Sequence, residues 1–202
     1  MGHAAMAATA VRHLRSAGAA TTAAAPHEAP PRPALRAVGE SERPPVDPAE
    51  FRRVLGSFPT GVTVITAHDG AGPAGFACQS FSSLSLDPPL VVFMVARTST
   101  TWPRIARAGS FCAHVLGEEQ GALCRAFAVS GGDKFAGVAH TPGPVTGAPR
   151  LGSVPAWVEC TVQAVHTGGD HLIVVGRIEA LGADDDRPPL VFHRGRFRRL
   201  GP

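Results

Sequence analysis

Apolar residues follow two periods along this chain. At Phe51, Val54, Leu55 and Phe58 they recur three and four apart, the spacing of one helix face. Asp47, Pro48 and Glu50 stand just before them as cap, first helical residue and capping-box acid, so the spacing predicts a helix that ends at Pro59. From Gly61 onward the pattern is that of strands. Val62 to Ala67 is β-branched, the turn His68-Asp69-Gly70-Ala71-Gly72-Pro73 follows, and Ala74 to Leu86 reads as a paired strand. Asp87-Pro88-Pro89 breaks that run, and Leu90 to Ala96 is continuously apolar, as in an interior strand. Ser99 or Thr100 caps a short helix that Gly109 stops. Beyond it lie a strand at Phe111 to Leu116 and an amphipathic helix at Glu118 to Ala128 that turns Leu123, Cys124 and Phe127 inward. After a loop-rich stretch, 129 to 155, two long strands (Trp157 to His166, His171 to Leu181) flank Gly168-Gly169-Asp170. A last strand, Leu190 to His193, ends the ordered part. The fold class is mostly β (α+β): an antiparallel barrel with a few peripheral helices.

Composition divides the chain. Residues 1 to 47 carry Ala runs and many Pro but no Lys, Phe or Trp, so they are expected to form a disordered Ala/Pro-rich tail, leaving 48 to 202 as one domain. The tail superficially resembles a transit peptide but lacks the compact apolar stretch of a secretory signal, and Met6 is an alternative start. The net charge of +3 gives no reason to expect nucleic acid or membrane as partner. No run reaches transmembrane length. Arg194, Arg196, Arg198 and Arg199 read as a solvated terminal strand rather than a phosphate-reading patch. The four cysteines show no Cys-x-x-Cys spacing and sit in apolar surroundings, as reduced thiols of a cytoplasmic protein do.

Some chemistry is missing. There is no dinucleotide glycine fingerprint, P-loop, zinc-spaced His/Cys set or Gly-x-Ser-x-Gly elbow, and no metal site is expected. An activity that borrows its reactivity from a cofactor fits better. Alternation on Ala74 to Leu86 puts Cys78, Ser80 and Ser82 on one face and Gln79, Phe81, Ser83 and Ser85 on the other. Such a run suits either a half-solvated strand or the polar rim of a flavin, and residue types alone leave the two even. Thr98 to Thr101 tilts the balance: simple capping needs one hydroxyl, whereas four at a helix start suit a cofactor phosphate, with Arg97 and Arg104 as candidate charges. The glycine-rich loop Ser130 to Gly137 and the lone His171 are weak signals taken separately.

In order along the chain, Phe51 through Val64, Ser80 through Leu90, Ser110 through Leu116, Asp133 through Gly137, Gly169-Asp170-His171 and Pro189 through Gly195 resemble the short-chain flavin reductases, reductase components of two-component flavin-dependent monooxygenases. The resemblance covers about residues 48 to 200. It implies an antiparallel Greek-key split barrel and a homodimer that reduces free FMN or FAD with NADH or NADPH, its product diffusing to a partner oxygenase. It places the flavin ring against Cys78, Gln79 and Ser80, with Thr60 and Ser83 or Ser85 nearby. The phosphate would meet Ser99, Thr100, Thr101 and Trp102, and Asp133, Lys134 and Phe135 would close the far end. His171 would position the nicotinamide as a donor, and a hydride would pass from nicotinamide C4 to flavin N5. Gln79 replaces a frequent Asn, and His193 and Phe197 stand where Tyr is frequent, in a chain with no Tyr. Two other readings of the same fold are a pyridoxamine-phosphate-oxidase-like enzyme with tightly bound FMN and a non-catalytic flavin-binding module.

Overall fold

A computed structural model of the chain describes residues 46–200, so all but the last two positions of the expected disordered tail lie outside the described residues. Helix α1 spans Pro48–Leu55, and Asp47 Oδ1 accepts from Ala49 N–H and Glu50 N–H at 2.9 Å, as the capping signature predicts. Strands β1 (Thr60–Gly61), β2 (Thr63–His68), β3 (Pro73–Cys78), β4 (Ser82–Leu86) and β5 (Pro89–Ala96) follow. Helix α2 (Trp102–Ala108) ends at Gly109, whose φ of 68° is the left-handed cap that glycine adopts without strain. Then come β6 (Ser110–Val115), a 3₁₀ turn at Glu118–Gln120, α3 (Gly121–Ala128), the short pair β7 (His140–Pro142) and β8 (Pro149–Leu151), and the long hairpin β9 (Ala156–Gly168) and β10 (His171–Ala183). The chain does not end its order at His193. Strand β11 (Val191–His193) turns back into β12 (Arg196–Arg198), so half-buried Phe197 packs on Phe192 while the arginines stay exposed.

Seven strands form one antiparallel sheet in the order β3-β2-β6-β9-β10-β5-β4. Its two edges, β3 and β4, are neighbours in sequence, joined by Gln79, Ser80 and Phe81 alone. Laid flat, six inter-strand spacings of about 4.8 Å would part these edges by about 29 Å. The four steps from Cys78 to Ser82 reach about 14 Å at most. The sheet therefore has to curl until its edges meet, and the fold is a barrel with a seam between β3 and β5. This corrects the expectation of one strand from Ala74 to Leu86. The run breaks at Gln79–Phe81 because it turns the corner from one edge to the other, and a bulge between Ser83 and Ser85 interrupts alternation again.

Strand β5 is buried on one side only: Val91, Phe93 and Val95 face the core, while Met94 is exposed. Inside the barrel Phe93 meets Phe111 edge-on at 5.1 Å and Trp102 at 6.4 Å. Gly176 lies beneath Phe111, where a Cβ would come within 2.4 Å of the ring, so this position admits no side chain. A second apolar cluster, built on Val64, Leu116, Phe127 and Phe135, packs α3 and the glycine-rich loop onto the barrel wall. All four cysteines are buried and free. Helix α1 ends at Leu55 with Gly56 as its C-cap, short of the expected end at Pro59. None of its residues is buried, and Phe51, Val54, Leu55 and the following Phe58 turn outward.

Candidate functional site

The seam is closed by a side chain. Where β3 ends, Ser80 Oγ accepts from Met94 N–H and donates to Met94 C=O, both at 2.9 Å. A serine hydroxyl has one hydrogen and two lone pairs. The remaining lone pair faces Cys78 Sγ at 3.2 Å, and burial raises the pKa of that thiol, so it stays protonated and donates. Ser80 thus supplies from its side chain the pairing that a neighbouring strand would supply from its backbone. Its hydroxyl has no capacity left for a ligand.

Beside the seam runs an open groove of about 460 Å³, within the range of about 300–1,000 Å³ typical of small-molecule sites. Cys78, Gln79 and Ser80 form part of its wall, Ser99, Thr100 and Thr101 another, and Lys134 and His171 complete it. Sequence reasoning missed Met94, Phe76 and Phe127, which give the groove an apolar component. The only hint of Met94 was a flexible, unbranched residue in a run of branched and aromatic ones.

At one end the groove continues, through shared Thr100, Thr101 and Lys134, into a polar hollow of about 270 Å³ bounded by Arg104 and Gly131 to Phe135. At the other it joins, through Cys78 and Gln79, an apolar chamber of about 290 Å³ lined by Val62, Cys124, Phe192 and Phe197. The C-terminal hairpin therefore does contribute, through its two Phe rings. Thr60 stands on β1 opposite Phe192, and its Oγ1 is buried with no hydrogen-bond partner.

Several predicted residues play parts other than ligand contact. Ser83 and Ser85 lie on edge strand β4, away from the groove. The Trp102 ring packs on Phe93, and its contribution to the Ser99 turn is its N–H, which with that of Thr101 donates to Ser99 Oγ at 3.2 and 3.3 Å. Phe135 is buried against Phe127, and Asp133 accepts its N–H at 2.9 Å, fixing the loop. Arg104 is not a free charge. It forks onto Asp69 at 2.8 and 3.1 Å and donates to the carbonyls of Gly72 and Pro73, clasping the β2–β3 turn to α2. With Arg107 also on that carboxylate, the Arg104 hydrogen bonds hold Asp69 well below the usual carboxylate range. Arg97 is exposed and does not line the groove.

Lys134 and His171 keep capacity to spare. Lys134 Nζ donates to the carbonyls of Gly75 and Phe127, each at 3.2 Å, leaving one of three N–H groups. Its partial burial lowers its pKa. At the head of β10, His171 Nδ1 lies 2.8 Å from Asp170 Oδ1, and this bond lowers the Asp170 pKa. An ionised carboxylate only accepts, so Nδ1 carries the hydrogen of that contact and Nε2 is left without a partner among the described residues.

Apolar residues, hydroxyls and a spare lysine N–H in one groove together match a ligand with an apolar ring, a polar rim and a phosphate. The residues present fit a flavin.

Comparison with known proteins bears on the same region. A family model described as a flavin reductase like domain matches residues 55–201. A flavin-dependent monooxygenase reductase subunit from Rhodococcus jostii is 46% identical over 157 residues, 78% of this chain and 80% of that protein. A flavin reductase from Pseudomonas putida is 42% identical over 163 residues, 80% and 95% of the two chains. Among solved structures, an NADH:FAD oxidoreductase from Streptomyces globisporus, in complex with NAD and FAD fragments, superposes with a TM-score of 0.74 at 37% identity, covering 79% of this chain and 98% of its own.

Proposed function

Since the chain belongs to the flavin reductase-like domain family, we propose that its groove takes up FMN or FAD, that NADH or NADPH reduces it there, and that the product leaves for a partner oxygenase. The chain is an oxidoreductase. The observation that carries the reading is the single open groove in which Gln79, the Ser99 to Thr101 turn, Lys134 and His171 meet. Flavin supplies the hydride acceptor and the nicotinamide the donor, so the protein's part is placement rather than proton transfer.

In this reading Gln79 and the main chain at the seam meet the polar rim of the ring. The Ser99 turn and the spare N–H of Lys134 meet the phosphate, and Asp133 and Phe135 hold the loop that carries Lys134. His171, its Nδ1 held by Asp170, meets the nicotinamide carboxamide through Nε2. An open groove also suits a flavin that must depart. A reductase subunit implies an oxygenase component, and four free thiols together with a need for reduced nicotinamide favour the cytoplasm. Among the described residues no helix is long and apolar enough to cross a membrane. In the same reading the catalytic domain is residues 48 to 202, and the Ala/Pro-rich tail through residue 47 is not part of it.

The test is nicotinamide oxidation, followed by absorbance with excess free flavin. Turnover is the expected result; stoichiometric FMN without oxidation of NADH or NADPH would instead favour the oxidase-like or binding-module readings. In the same assay His171→Ala should raise the nicotinamide KM about five- to tenfold, the loss of about one hydrogen bond, with kcat changed less than about threefold. A hundredfold fall in kcat at constant KM would make His171 a proton carrier and end the positioning role.

The outward face of α1 supports the homodimer. Phe51, Val54, Leu55 and Phe58 are 49–75% exposed at the spacing of one helix face, a patch that a second copy of the chain would cover. Sedimentation should give twice the chain mass, and Phe58→Glu should shift the population toward monomer. A monomeric parent chain would refute this arrangement.

A further inference from the structure

A second groove, of about 410 Å³, shares no residue with the flavin groove and has a built cationic floor. Trp157 on β9 lies across Gly182, where a Cβ would come within 2.7 Å of the indole Nε1. The Arg150 guanidinium stacks over the indole, its Cζ 4.8 Å from the ring centroid. Stacking holds the fork in one plane and leaves its N–H edge available. Among the described residues that edge has neither a hydrogen-bond acceptor nor an acidic partner. The buried acid of this wall, Glu159, is taken up otherwise, by Val145 N–H, Thr146 N–H and the Thr146 hydroxyl at 2.6–3.1 Å.

Other donors surround the fork. Thr141 is the register partner of Arg150 across β7 and β8, so the two side chains rise from the same face. Ser153, on the rim, is held at φ 58°, a left-handed conformation uncommon for a non-glycine residue. A planar charged fork without a counter-ion, backed by an indole and flanked by hydroxyls, is the arrangement that recognises a carboxylate or a phosphate.

We propose that this groove is a second ligand site, binding the carboxylate or phosphate of a small molecule through Arg150 with an apolar part against Trp157. It has a physical link to the first site: the His140 ring meets the Phe135 ring edge-on at 5.2 Å, and Phe135 neighbours Lys134 of the flavin groove.

The test titrates the flavin-free full chain with inorganic phosphate, phenyl phosphate and benzoate, reading heat and tryptophan emission, to which Trp157 is one of two contributors. Saturable binding of at least one probe is expected, weakened tenfold or more in Arg150→Gln and less in Arg150→Lys, which keeps charge but loses the fork. Preference for phenyl phosphate over benzoate would identify a phosphate ligand, the reverse a carboxylate. Undiminished flavin reduction by both variants would show them folded. No saturation with any probe, or equal affinity in folded Arg150→Gln, would overturn the site.

Discussion

Acidification from pH 7 to about 4 should weaken the fold by about 3 kcal/mol through one side chain, His114. It is fully buried, with Nδ1–H donating to the Val64 carbonyl at 3.0 Å and Nε2 accepting from Leu151 N–H at 3.1 Å. Only the neutral ring can make both bonds, because a protonated Nε2 would point a hydrogen at a hydrogen. Burial, with the Arg150 charge adding to it, pushes its pKa down to about 4 from the ordinary 6.5. Between those values the unfolded chain binds the proton and the folded chain refuses it. Stability from this residue is therefore complete above about pH 6.5 and drains away as pH falls toward 4, and a shift of this size corresponds to about 3 kcal/mol. Urea unfolding across this range should show a steeper loss in the parent chain than in His114→Gln, which starts less stable but lacks the titrating group. Parallel pH profiles would mean that His114 does not hold the strut. Since Leu151 belongs to β8, the same loss should loosen the segment that carries Arg150.

Removing the seam hydroxyl, Ser80→Ala, should raise the flavin KM about tenfold while kcat changes less than about threefold. The variant leaves Met94 N–H and C=O without their partner and strips the Cys78 thiol of its acceptor. Each unmade bond costs about 1–3 kcal/mol where water cannot enter, and less at this half-open edge. Widening of the seam would displace Gln79 and Met94 together, and both line the groove. Amide exchange at Met94 distinguishes a seam latch from a direct flavin contact. With no flavin present, exchange should be faster in Ser80→Ala and recover in Ser80→Thr, which restores the hydroxyl. Unchanged Met94 exchange with a raised flavin KM would return Ser80 to the role of flavin ligand.

The local devices of this fold were legible residue by residue. Asp47 caps α1, Gly109 stops α2, the β2–β3 and β9–β10 turns fall where their glycines stand, and the thiols are core residues. Each depends on neighbours a few positions away, so sequence alone determined them. The family pattern likewise brought Gln79, Ser99, Lys134 and His171 into consideration before they shared a groove.

What a side chain does once there depended on distant partners. Ser80 closes a seam because residue 94 comes beside it, and Arg104 is spent because Asp69 lies 35 residues away in sequence but 2.8 Å away in space. His114 and Glu159 read as ordinary strand residues until the barrel sealed them from water and committed their polar atoms to Leu151 and Thr146. The period of α1 foretold an apolar face, yet not that it would look away from its own core. Spacing encodes which residues share a face, because dihedral angles are local; hydrogen-bond capacity and burial are settled only when the sheet closes and each donor meets, or fails to meet, its acceptor.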